Sequence, residues 1–119
     1  MKISSYKELI VWQKAMDLTK EIYKISGKLP QIENYGLTSQ MRRSAVSVPS
    51  NIAEGYQRRG RQEFLHFLSI AKGSLAELQT QALLCKDIYV EVKFDTIEKQ
   101  IEEVQKMLTV MMLKLASKQ

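Results

Sequence analysis

Residues that carry most protein chemistry are scarce in this chain, which holds one cysteine, Cys85, and one histidine, His66, among 119 residues. A lone cysteine forms no internal disulfide. A lone histidine cannot supply the two Glu-x-x-His pairs of a di-iron bundle or share a His/Cys zinc site of ordinary spacing. No GxxxxGK[ST] or GxGxxG loop is present to cradle a phosphate chain. No metal and no cofactor is therefore expected. Long apolar runs are missing as well. The longest, Leu9–Trp12, Ala82–Cys85 and Val110–Leu113, have four residues each, against the ~20 that span a bilayer. The opening residues lack the apolar stretch of an export signal, and an unpaired cysteine suits reducing surroundings, so a cytoplasmic protein without membrane contact is expected. Prolines and glycines number two and five, and no tract is of low complexity. Residues 1–119 therefore read as one ordered domain.

What the chain does have is helical periodicity. Phe64, Leu68, Ala71, Leu75, Leu78, Ala82, Cys85 and Tyr89 follow a 4-3-4-3 spacing, which predicts a seam along one long helix. Ile97, Ile101, Val104, Leu108, Met111 and Leu115 repeat it after a connector around Val90–Asp95. Tyr6 to Ile25 is apolar on two sides, with Leu9, Trp12, Met16 and Tyr23 on one and Val11, Leu18, Ile22 and Ile25 on the other. Gly27 and Pro30 end that segment, and a second helix opens near Tyr35. Gly60 is placed as the N-cap of the third helix, with Glu63 three residues on. Short connectors between four such segments predict an all-α fold, an up-down-up-down left-handed antiparallel four-helix bundle. One bundle core needs a single stripe per helix. The second side of the first helix, with Phe67, Ile70, Leu84 and Ile88 off the main seam of the third, therefore predicts contacts between subunits.

Pro49 breaks ordinary helical grammar, since it has no N–H to donate and its ring presses on the carbonyl of Ala45. Met41, Ala45, Val48 and Ile52 keep helical spacing through it, which predicts a second helix kinked at Pro49 rather than a loop. Ser47 and Ser50 are candidates to bond the backbone groups the kink frees.

Charge is concentrated in the same segment. Of the net +5, residues 36–61 contribute five arginines (Arg42, Arg43, Arg58, Arg59 and Arg61) against one acid, Glu54. Guanidinium groups grip phosphate bidentately, which makes these five the candidate nucleic-acid-binding residues. Other uses stay open at this point. Arg58, Arg59 and Arg61 suit a helix C-terminus, Arg58 is spaced to pair with Glu54, and the set is also suited to bridging subunits.

Arg61 and His66 form an R-x4-H pair similar to the motif of the HEPN ribonucleases, which are also small dimeric helical bundles. That resemblance implies an alternative, metal-independent ribonuclease with Arg61 holding phosphate and His66 as base.

A broader resemblance rests on VWQKA (Val11–Ala15), YGLTSQ (Tyr35–Gln40), RRSAVSVPSNIAEG (Arg42–Gly55), Glu63, Phe64, Phe67 and Leu68, and GSLAE (Gly73–Glu77). At these positions the chain resembles the four-helix bundle family of 23S rRNA intervening-sequence proteins, which includes the accessory variability determinants of diversity-generating retroelements. Gly60 departs from it, standing where many relatives carry a serine or threonine cap. The resemblance implies a protein that is not an enzyme and assembles into a barrel-like homopentamer with a basic surface. In the retroelement branch it implies nucleic acid and a reverse transcriptase as partners.

Overall fold

Four long helices are present in a computed structural model that describes residues 3–117: α1 (Ile10–Ser26), α2 (Leu37–Gln57), α3 (Arg61–Ile88) and α4 (Asp95–Ser117), with short 3-10 turns at Tyr6–Glu8 and Gln31–Glu33. No strand occurs among the described residues. Contacts across each interface run in opposite senses. Arg42 and Thr19 join α1 to α2 at 26–42 and 19–45, and Ser47–Ser74 with Met41–Cys85 joins α2 to α3. Gln79–Gln105 and Lys86–Glu98 join α3 to α4, and Lys14–Glu103 joins α4 back to α1. The result is an antiparallel four-helix bundle 48 Å long and 23 × 19 Å across. Its length is close to that of α3, whose 28 residues rise about 42 Å.

The predicted seams form the core, with their ends, Phe64, Tyr89, Met111 and Leu115, only partly buried against it. Leu68, Ala71, Leu75, Leu78, Ala82 and Cys85 of α3 are buried, as are Ile97, Ile101, Val104 and Leu108 of α4 and Met41, Ala45, Val48 and Ile52 of α2. In α1 the two-sided pattern resolves into a buried face, Val11, Ala15, Leu18 and Ile22, and a half-covered one on which Trp12 and Met16 are partly buried and Tyr23 is exposed. Each fully buried large side chain contributes about 1.5–3 kcal/mol through its removal from water. The α3–α4 connector also adds to the core, with Phe94 and Val92 buried beneath it. The connector residues carry no period, so the sequence pattern did not reveal this.

Two glycines do opposite things. Gly55 is buried where α2 crosses α3, and a Cβ there would lie 2.7 Å from Phe67 Cβ and 3.0 Å from Phe64 Cδ1. Only a residue without a side chain lets these helices approach so closely. At Gly73, on the open side of α3, an added Cβ would meet nothing within 4 Å.

α2 runs unbroken through Pro49. Ala45, whose carbonyl loses its helical donor to the proline, receives one from outside the helix, because Thr19 Oγ1 of α1 lies 3.1 Å from that oxygen. Ser47 serves elsewhere than expected, and Ser50 is exposed without a side-chain hydrogen bond among the described residues. Ser47 Oγ pairs with Ser74 Oγ at 2.8 Å and accepts from Asn51 Nδ2 at 2.9 Å, which pins α2 to α3. Thr19 outcompetes them because it faces the freed carbonyl from the neighbouring helix.

Candidate nucleic-acid interface

The five candidate arginines fall into two groups. Arg42 and Arg43 lie in the first half of α2, while Arg58, Arg59 and Arg61 surround the α2–α3 junction. Fifteen residues of helix separate Arg43 from Arg58, about 22 Å along the axis.

Arg42 is half-buried and committed to the fold. Its Nε donates to Ser26 Oγ at 2.9 Å and its Nη2 to the Tyr23 carbonyl at 3.1 Å, and the guanidinium lies 4.8 Å from the Tyr23 ring centroid. A helix leaves its last carbonyls unpaired and partially negative, and Arg42 answers both conditions at the end of α1. Arg58 is similarly engaged. It donates to Glu54 at 2.8 Å, lies 3.7 Å from Glu63 and packs over the Phe67 ring, and the hydrogen bond to Glu54 raises its pKa above the usual arginine value. Arg61, partly buried, reaches the Leu115 carbonyl in the last turn of α4 at 3.5 Å.

The remaining two are differently placed. Arg43 and Arg59 are exposed, and neither makes an ion pair or side-chain hydrogen bond among the described residues. Arg43 borders a polar cleft of about 390 Å³ with Gln40, Ser44, Ser47, Ser74 and Glu77. Arg59 has φ 65°, the left-handed conformation that closes many helices. Glycine is the usual occupant there, since a side chain in that conformation costs roughly 1–2 kcal/mol. Arg59 and Arg61 line an open cleft of about 670 Å³ together with Tyr56, Gln57 and Gly60. Gly60 caps α3 without a side-chain hydrogen bond, so the first amides of that helix also carry their partial positive charge at this end. Tyr56 and Gln57 were not among the sequence candidates. Their only signal was adjacency to the arginines.

Arg61 and His66 do not share a face. Five residues of helix turn through about 500°, which leaves the two side chains roughly 140° apart around α3. His66 is exposed and stands edge-on to Phe67 at 5.5 Å between ring centroids, while Arg61 turns toward α4.

These features define a class, an antiparallel four-helix bundle with a basic second helix and basic α2–α3 junction. The chain belongs to the 23S rRNA-intervening sequence protein family, whose model matches residues 7–110. It is also similar to a crystal structure from Bacteroides thetaiotaomicron, described as a protein with unknown function from the S23 ribosomal protein family. That likeness has a TM-score of 0.74 and 24% identity, and it covers 87% of this chain and 98% of that one, so it bears on the fold alone. Comparison with curated proteins returned no match. No helix among the described residues is long and apolar enough to cross a membrane.

Proposed function

We propose that this chain is a non-enzymatic, cytoplasmic protein that binds the phosphate backbone of structured RNA or DNA as a homo-oligomer, a pentamer by resemblance to its family. The observation that carries the reading is Arg59. Its backbone occupies a conformation that glycine would adopt at lower cost, and its guanidinium makes no ion pair or hydrogen bond among the described residues. A helix-closing left-handed position held by arginine rather than glycine, with a guanidinium that has no partner among the described residues, supports an external partner. Arg61 and the uncapped amides of α3 supply further positive potential in the same cleft. Arg43 adds a second contact point farther along α2.

The assembly half of the proposal rests on α3. Ser69, Gly73, Ala76 and Thr80 are exposed at 4-3-4 spacing, flanked by exposed Ile70, Leu83, Leu84 and Ile88. A smooth stripe edged by aliphatic side chains suits close packing against another helix, and repetition around a ring would turn weak phosphate contacts into avid ones. A reverse transcriptase is the protein partner this reading allows, if the chain serves a retroelement.

The test is fluorescence anisotropy with a labelled RNA hairpin across a salt series. Each duplex phosphate contacted should contribute about −0.9 to the log–log slope, and Arg43→Gln and Arg59→Gln should each flatten it by roughly one unit. Both variants should keep the wild-type oligomer mass. Absence of salt-sensitive binding by the wild type would refute the reading, and RNA cleaved in EDTA would replace it with a nuclease.

A further inference from the structure

A second concavity lies between the start of α1 and the end of α4. Its volume is about 740 Å³, and its floor is apolar, made by Leu9, Ile10, Met107, Val110, Met111 and Leu115. Two cations border it, Lys106 and Lys114, and no aspartate or glutamate lines it. Lys106, Val110 and Lys114 recur every fourth residue, so they form one ridge of α4 with an exposed valine between two ammonium groups. Neither lysine forms an ion pair among the described residues. The nearest acid in the chain to Leu9, Glu8, is turned onto Ser4, whose hydroxyl donates to it at 2.9 Å.

We infer that this groove receives an acidic amphipathic helix from a partner protein, with the partner's apolar stripe on the methionine floor and its carboxylates against Lys106 and Lys114. Three features select that occupant. The groove runs along α4 from Lys106 to Leu115, about 14 Å at 1.5 Å per residue, which is the length of two to three helical turns. Val110 and Ile10 remain about half exposed, 51% and 55%, in a concave setting, and a channel between two helices fits a rod better than it fits the plane of a membrane. Met107 and Met111 are unbranched, so the floor can adapt to the aliphatic ridge of a guest helix. Nucleic acid is disfavoured because a polyanionic backbone would lie over a largely apolar floor with only two ammonium groups at its border, and the groove's two aromatic rings, Tyr56 and Phe64, stand edge-on to each other rather than offering parallel stacking faces. The groove shares Ile3, Tyr56 and Phe64 with the Arg59 cleft, but no residue on its floor belongs to the proposed phosphate site. The two proposals can therefore fail independently.

The probe is a pair of synthetic helical peptides of about fourteen residues, with identical leucine stripes and either glutamate or lysine on the flanks. They are titrated into the full-length protein carrying 13C-labelled methionine methyls. With the glutamate peptide, the Met107 and Met111 methyl signals should shift while that of buried Met41 stays in place. The glutamate peptide should bind about tenfold more tightly than the lysine peptide at low salt, a gap that narrows as salt rises. Replacing Lys106→Glu and Lys114→Glu together should reverse the preference, a result that mere loss of folding cannot produce. Val110→Asp, at a half-exposed position, should abolish binding of either peptide and leave the denaturant unfolding midpoint close to that of the wild type. Equal binding of the two peptides, or unmoved Met107 and Met111 signals, overturns the inference. So does a fall in oligomer mass in Val110→Asp, which would assign the groove to a second copy. Movement of the same methyls by the RNA hairpin, or Val110-dependent sedimentation with anionic vesicles, overturns it as well.

Discussion

The hydroxyl of Thr19 lies 3.1 Å from the carbonyl oxygen of Ala45, the one carbonyl in α2 that Pro49 deprives of its helical donor. The same hydroxyl is 2.8 Å from the Ala15 carbonyl of its own helix, so one proton serves both sites. Pro49 is itself buried and borders a groove with Trp12 and Met16. The α1–α2 interface thus holds both the irregularity and its remedy.

Thr19→Val keeps the side-chain volume and removes the donor. It should destabilise the protein by about 1–3 kcal/mol, the cost of an unpaired buried carbonyl. In a Pro49→Ala background the restored N–H of residue 49 satisfies Ala45, and the same substitution should cost distinctly less. Denaturant unfolding of the four proteins in the double-mutant cycle measures the difference. Equal costs in the two backgrounds would show that Thr19 acts through packing.

Gly55→Ala tests the closest approach in the bundle. The new methyl would meet Phe67 Cβ at 2.7 Å, the root of a side chain that cannot swing aside without moving its helix. A loss of about 1–3 kcal/mol is expected, although alanine is the better helix former. An unchanged midpoint in a thermal melt would mean that α2 and α3 separate easily.

Cys85 is fully buried within van der Waals reach of Met41 sulfur at 3.6 Å, and desolvation pushes its thiol up to about 11. The thiolate is the reactive form, so burial and pKa act in the same direction. A disulfide reagent at pH 8 should label Cys85 only as fast as the bundle opens, and denaturant should release the full reaction at once. Rapid labelling of the native protein would contradict the packing of α3 against α2.

The four helices were legible because each buries a stripe that repeats every three or four residues, and that repeat survives in sequence whatever the neighbours are. Gly27 and Gly60, placed at helix ends by their chemistry, are the C-cap of α1 and the N-cap of α3. The arginines were legible as a charge cluster and not as a site. Sequence spacing cannot distinguish Arg42, folded onto the end of α1, from its exposed neighbour Arg43. The difference depends on Tyr23 and Ser26, sixteen or more residues away along the chain. Phe94, Thr19 and the pairing of Tyr89 with Glu33 were invisible for the same reason. Phe94 is one buried side chain in a connector and the other two are single long-range contacts, so none has a period to announce it.

That last pair gives the fold a defined pH window. Tyr89 Oη donates to Glu33 Oε2, tying the end of α3 to the turn before α2, and Glu33 also accepts from the Leu37 amide at 3.0 Å. The two bonds, that of Tyr89 first, lower the carboxyl of Glu33 below its ordinary value of 4.5, and the bond to Glu33 raises the phenol of Tyr89 above its ordinary 10.0. A depressed carboxyl in the folded state adds stability that is complete above pH 4.5 and lost as pH falls through the lowered value. A raised phenol adds stability that is complete below pH 10.0 and lost as pH climbs through the raised value. The link is therefore intact between those limits and weakens beyond either. Tyr89→Phe removes the principal cause of both shifts. In that variant the Glu33 carboxyl, followed by NMR, should titrate closer to 4.5, and the fall in unfolding midpoint at both pH extremes should become shallower than in the wild type. If Glu33 titrates identically in the variant, the phenol is not what holds its charge, and the Leu37 amide is the stronger partner.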